Sequence, residues 1–232
     1  AIIDKDHNPI MSKAEIEQAT NQISTSQAAL DGENKLHSDQ THANEQIDYL
    51  SNLNERQINA EKDLINQSTT RSDVAQKLAK AKELNDAMKA LRDGIQNKDE
   101  LKQSSAYINA DPTKKSAYDE ALQNAENIIS ATPQPELNKA IIDDALSRVQ
   151  RAQNELDGAE QLANAKREAT QNVNGLTSLN EGQKRELNNL INAAETRTKV
   201  EEELAKATNL NNAMADLRNS IQNVEQIKQG SN

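Results

Sequence analysis

Apolar residues recur along this chain at intervals of three and four. Val74, Leu78, Ala81, Leu84, Met88, Leu91 and Ile95 are spaced four, three, three, four, three and four apart. That spacing lines one face of an α helix, with polar residues on the rest of the circumference. A second stripe runs Ile16, Ala19, Ile23, Leu30, Leu36, Ala43, Ile47, Leu50. A third runs Tyr118, Leu122, Ala125, Ile129, and a fourth Leu137, Ile141, Ala145, Val149, Ala152, Leu156, Leu162, Ala165, Ala169, Val173. The last is Val200, Leu204, Ala207, Leu210, Met214, Leu217, Ile221.

Start and stop signals sit between the stripes. Ser12 with Glu15, Asn54 with Gln57 and Asn180 with Gln183 are capping-box patterns. Thr70 or Ser72 and Thr196 open helices, and Asp111-Pro112 pairs an N-cap with a proline at the first helical position. Thr132-Pro-Gln-Pro135 and Asn174-Gly175 are breaks. These signals predict a long helix from Ser12 to Leu50, bending at Gly32, because one glycine costs a helix only about 1 kcal/mol. They predict short helices at 54–66 and 180–193 and a helix from Asp111-Pro112 to residue 129. They also predict a second long helix from Pro135 to Val173 and a last one from Thr196. A helix over 71–109, with Gly94 its one weak point, would be about 58 Å long.

The stripes repeat. Residues 70–105 return as 196–231 without a gap, and comparing 1–106 with 127–232 gives 40 identities in 106 pairs. Leu30-Asp31-Gly32 pairs with Leu156-Asp157-Gly158, and Leu53-Asn54-Glu55 with Leu179-Asn180-Glu181. A fixed period means an array of one structural unit. Each short helix with the adjoining parts of two long ones makes a three-helix bundle of about 60 residues. The expected fold is all-α: tandem three-helix bundles that share long connecting helices and form an elongated rod.

Composition narrows the class further. The chain has no Phe, Trp or Cys, so cores must be built from Leu, Ile, Val, Ala and Met, and disulfides are excluded. Asn and Gln make up 48 of 232 residues, a composition that without the helical periodicity would point to disorder. A net charge of −10 argues against nucleic acid and against anionic membranes. No apolar run approaches the roughly 20 residues of a membrane span. Neither a signal peptide nor a wall-sorting tail is visible, and the chain reads as excised from a longer protein.

Candidate chemistry is thin. His37 and His42 are five apart, beside Asp39 and Glu45, whereas one helix face would hold metal ligands three or four apart. Asp143-Asp144 and Glu201-Glu202-Glu203 are adjacent helical residues that point in different directions. No nucleophile triad or phosphate loop is present. The expectation is no enzyme, no catalytic residue, no metal and no cofactor. Met88 and Met214 lie in apolar stripes and belong to cores, and Tyr107 and Tyr118 flank one turn and pack on each other.

Several motifs resemble known modules. Tyr107-Ile-Asn-Ala-Asp-Pro-Thr-Lys-Lys-Ser-Ala-Tyr118, Ala125-Glu-Asn-Ile-Ile129 and Ala152-Gln-Asn-Glu-Leu-Asp-Gly158 resemble the FIVAR module. Leu162-Ala-Asn-Ala-Lys-Arg-Glu-Ala169, Leu176-Thr-Ser-Leu-Asn-Glu-Gly-Gln183 and Asn209-Leu-Asn-Asn-Ala-Met214 resemble the GA module. Their alternation over essentially the whole chain is similar to the repeats of the giant staphylococcal matrix-binding surface proteins. The resemblance implies a FIVAR remnant at 1–30, a GA-like module at 31–97, a FIVAR module at 98–157 and a GA-like module at 158–232. It implies a cell-wall-attached protein on the bacterial surface, binding fibronectin and serving adhesion and biofilm as a monomeric stalk. The alternatives are a purely structural spacer and an albumin-binding GA module. Albumin-binding GA domains use exposed aromatics on the second helix and its preceding loop, and helices 54–66 and 180–193 carry none. The ligand-contacting residues are unknown at this level. The helix starting at Ser12 has no partner for Ile16, Ile23 and Leu30, so it is expected to fray or to bury that face against another copy.

Overall fold

The computed structural model describes residues 12–230, which form eleven α helices and no strand. In order these are α1 (Lys13–Ala28), α2 (Gly32–Asp48), α3 (Glu55–Asn66), α4 (Arg71–Gly94), α5 (Lys98–Gln103) and α6 (Ser105–Ile108). Then follow α7 (Pro112–Ile129), α8 (Lys139–Asn154), α9 (Gly158–Gly175), α10 (Glu181–Ala193) and α11 (Arg197–Gly230). The chain divides into two compact units. One holds the residues up to 89 with 130–139, and the other holds 90–129 with 140 onward.

In the first unit α2, α3 and the front of α4 enclose Ala43, Ile47, Ile65, Val74 and Ala81, with Leu36, Leu50, Ile58 and Leu78 packed around them. In the second unit α9, α10 and the front of α11 enclose Leu162, Ala169, Val173, Leu179, Leu187, Ile191, Ala194, Val200 and Ala207. Ala43, Ile47, Ile65, Val74 and Ala81 match Ala169, Val173, Ile191, Val200 and Ala207 at the 126-residue shift. Full burial of each Ile or Val contributes about 1.5–3 kcal/mol. Both short helices start on the predicted capping boxes: Asn54 accepts from the Gln57 amide and Asn180 from the Gln183 amide, while each glutamine reaches back to its cap. Thr70 and Thr196 accept from the amides of Asp73 and Lys199 at the starts of α4 and α11.

The second unit also holds the bundle of the α4 end, α5, α6, α7 and α8. Its buried residues include Leu91, Ile95, Tyr118, Leu122, Ala125, Ile142, Ala145 and Val149. Asp111 caps α7 by accepting from the Thr113 amide at 2.9 Å, as the Asp-Pro pair predicts. The Tyr107 and Tyr118 rings meet edge to face with centroids 6.0 Å apart. The Tyr107 hydroxyl donates to Asp119 at 2.7 Å, and Lys102 pairs with the same carboxylate at 2.8 Å. Met88 is fully buried and Met214 packs against the α9–α11 core.

Four sequence expectations are corrected. The helix from Ser12 to Leu50 is two helices, broken at 29–31, and the one from Pro135 to Val173 is also two, broken at 155–157. Gly32 and Gly158 are the first residues of α2 and α9, not mid-helix glycines. The second long helix starts at Lys139 rather than Pro135, because α3 binds the preceding residues: Gln57 Nε2 donates to the Glu136 carbonyl at 2.7 Å. The helix expected over 71–109 ends at Gly94. Ile95 and Gln96 tighten to i−3 hydrogen bonds, and α5 and α6 follow with Ser104 extended between them. Finally, Ser12 makes no side-chain capping bond at the start of α1.

Candidate functional site

The densest polar constellation outside the cores lies where α9 begins. Residues 105–110 press their backbone onto Gly158, so that a Cβ there would strike the carbonyl oxygens of Ser105 and Ala106 and lie 2.6 Å from the Ala110 nitrogen. Only glycine permits that approach. Beside it, Asp157 accepts from the Asp111 amide at 3.0 Å, from Lys114 Nζ at 3.0 Å and from Gln161 Nε2 at 3.1 Å. These three donors, the Asp111 amide foremost, hold the Asp157 carboxyl well below the usual carboxylate range. Buried Asn109 completes the joint, donating to the Glu195 carbonyl at 3.1 Å and accepting from the Arg197 amide at 2.8 Å. The Asn-Ala-Asp-Pro turn is thus read at the Asp111 amide by the start of α9 and at the Asn109 side chain by the α10–α11 turn.

The first unit repeats the receiving half. Asp31 has φ −111° and ψ 12°, and Asp157 has φ −113° and ψ 11°. Yet among the described residues no atom lies within 4 Å of a Cβ built on Gly32, and Asp31 pairs with Lys35 one turn along its own helix. The apolar face leading up to it is uncovered among the described residues: Ile23 is 68% exposed and Leu30 77%, whereas Val149, the counterpart of Ile23, is fully buried.

A second constellation, in the first unit, ties α3 to residues 131–136. Arg56 donates to the carbonyls of Ala131 at 2.7 Å and Pro133 at 2.9 Å, and fully buried Gln57 to that of Glu136. At the matching positions α10 has Gly182 and Gln183. The start of α3 is therefore engaged within its own chain.

The other residues singled out from sequence are placed as follows. His37 and His42 lie on α2, and Asp39 between them pairs with Arg71. No group of three metal-ligating side chains is present among the described residues. Asp144 pairs with Arg148. In the Glu201–Glu203 run the sequence reading missed that Glu203 is buried, where Lys199 at 2.9 Å and Lys206 at 2.8 Å hold its carboxyl low. It also missed Asp157, Gly158, Asn109, Arg56 and Gln57. For the first two a signal existed, since Asp-Gly is retained at both repeat positions inside an otherwise helical pattern. No helix of the described residues is long and apolar enough to cross a membrane.

Three-helix modules repeated at a fixed period, joined through a glycine-dependent turn, define an all-α tandem-repeat protein. The FIVAR domain model matches residues 1–31 and 87–157, and the GA module model matches 33–87 and 159–213. The extracellular matrix-binding protein EbhA of Staphylococcus aureus strain Newman is 44% identical over 216 residues, 93% of this chain. The extracellular matrix-binding protein ebh of strain USA300 is also 44% identical over 93%. The chain spans only 6% and 2% of the length of these two curated relatives. The crystal structure of the EbhA 756–1003 domain from S. aureus superposes with a TM-score of 0.76 at 33% identity, over 86% of this chain and 81% of that one. A structure from the characterization of Embp-mediated Staphylococcus epidermidis adherence to fibronectin matches at TM-score 0.51 and 32% identity, over 53% of this chain and 98% of that one. The chain belongs to the FIVAR–GA repeat family of the staphylococcal extracellular matrix-binding proteins.

Proposed function

We propose that this chain is a non-enzymatic repeat segment of a cell-wall-attached bacterial adhesin that binds host extracellular matrix through fibronectin and serves as a stiff stalk. The observation that carries this reading is its likeness to 98% of the S. epidermidis structure tied to adherence to fibronectin. Binding by many weak sites in tandem suits a surface with few aromatics, because linked repeats raise avidity by about 100-fold or more without any strong single contact. Serum albumin is the weaker partner: α3 and α10 carry no aromatic residue, and Arg56 and Gln57 of α3 are already bonded to their own chain.

Titration of immobilised fibronectin with this 232-residue chain and with arrays of two, four and eight copies tests the reading. Weak binding by one copy that rises steeply with copy number is expected. No binding at any length would leave a spacer that organises the surface and holds no matrix ligand.

A further inference from the structure

The repeat holds two versions of one helix junction, and they differ in charge. In the second unit a cleft of about 430 Å³ opens between the end of α10 and the first turns of α11. Leu190, Ala193 and Ala194 line one side of it, and Lys199 and Glu203 the other. The Glu203 side chain is only 4% exposed. Its Oε1 accepts from Lys206 at 2.8 Å and pairs with Lys199 at 2.9 Å. Its Oε2 is buried and has no hydrogen-bond partner among the described residues. A buried carboxylate oxygen left unmet costs free energy that a donor recovers. In the first unit the position of Glu203 is held by Lys77 and that of Lys199 by Asp73, so the ion pair one turn apart is kept with its charges exchanged. Lys77 Nζ donates to the Leu64 carbonyl at 2.9 Å and to Ser68 Oγ at 3.0 Å. Leu64 and Ser68 correspond to Leu190 and Ala194. An ionised carboxylate has no proton to donate, so Glu203 cannot play the part of Lys77. The second unit presents an acceptor where the first supplies a lysine ammonium.

We propose that the α10–α11 cleft binds the side chain of a lysine presented by a partner polypeptide. The ammonium donates to Glu203 Oε2 and takes the place that Lys77 Nζ fills in the first unit. The alkyl stem lies along Leu190, Ala193 and Ala194, as lysine stems do on apolar surface. Lys199 is the movable side of the site. Its side chain is 48% exposed and it also donates to Glu202 at 3.1 Å, so it can turn to Glu202 and uncover Glu203. Three carboxylates, Glu195, Glu202 and Glu203, stand here against Lys199 and Lys206, a balance that favours one further cation.

Titration of the isotope-labelled full chain with Nα-acetyl-lysine methylamide, followed by amide NMR shifts, tests this. Saturable shifts centred on residues 190–203 are expected, with the millimolar dissociation constant that a single ammonium supports. The Nε-acetylated probe carries no charge and should bind about tenfold or more weakly. Glu203→Gln should weaken binding to a similar degree. Lys199→Ala removes the competing ammonium and should tighten it. The double change Lys199→Asp with Glu203→Lys installs the pair of the first unit, so circular dichroism should hold while binding is lost. No saturable shift at residues 190–203 up to about 100 mM probe would overturn the proposal. So would equal affinity for the parent and the folded double variant, or for the charged and acetylated probes, because either would mean that Glu203 is not the acceptor.

Discussion

Two identical dipeptides, Asp31-Gly32 and Asp157-Gly158, sit in the same backbone geometry and do different amounts of work. At 158 a methyl group meets backbone, which cannot move aside as a side chain would, so Gly158→Ala should destabilise the second unit by about 1–3 kcal/mol. Gly32→Ala should leave the first unit unchanged or slightly stabilised, since it trades a flexible residue for the best helix former. Chemical denaturation of both variants checks the contrast. Asp157 adds a pH dependence. Its folded-state carboxyl titrates below the unfolded value of about 3.9, so its stabilisation is complete above that pH and fades as pH falls toward the folded value. Asp157→Asn should cost about 1–2 kcal/mol near neutrality, the worth of its hydrogen bonds from charged and backbone donors. The gap to the parent should narrow in acid melts below about pH 4, the range in which the unfolded chain takes up a proton at this carboxylate and the folded one does not.

At the scale of elements, the starts of α3, α4, α7, α10 and α11 were legible because their signals are local: a capping side chain and the amides one turn on. Asn180→Ala should therefore lower stability by about 1 kcal/mol, seen as a reduced Tm, with α10 intact. The breaks were not legible where their cause is distant. Nothing near Gly158 demands a helix end; the demand comes from residues 105–110, about fifty positions earlier, whose backbone must reach the glycine. Gly32 follows the same break in sequence, although among the described residues no such chain lies on it. Likewise the helix expected over 71–109 stops at Gly94, which packs against Leu146, whereas α11 continues through Ser220 to Gly230. The start of α8 was displaced by a contact from α3, again outside any local window. The Tyr107–Tyr118 pair was readable because both residues flank one turn. Asn109 was not, since its partners lie 86 and 88 residues away.

Across the whole molecule, one sequence pattern occurs twice and is ordered by the partners present at each copy. The GA-type bundles of both units are complete, and every residue of the first core cluster has its repeat equivalent in the second. Among the described residues a packed FIVAR-type bundle is seen in the second unit. In α1 no residue is buried, and from 216 to 230 every residue of α11 is exposed, although α8 and the end of α4, their repeat equivalents, are packed. A helix of about 15 residues without packing is marginal in water. Tertiary partners, more than helix propensity, therefore decide which copies of the pattern are stable.

Amide hydrogen exchange over the dilute chain tests this most directly. Residues 16–28 and 216–220 should exchange as locally opening helices, while their equivalents at 142–154 and 90–94 should be protected to near the global unfolding limit. Equal protection of α1 and α8 in the isolated chain would contradict the account, because it would show that the first copy is stable without the partner that the second one requires.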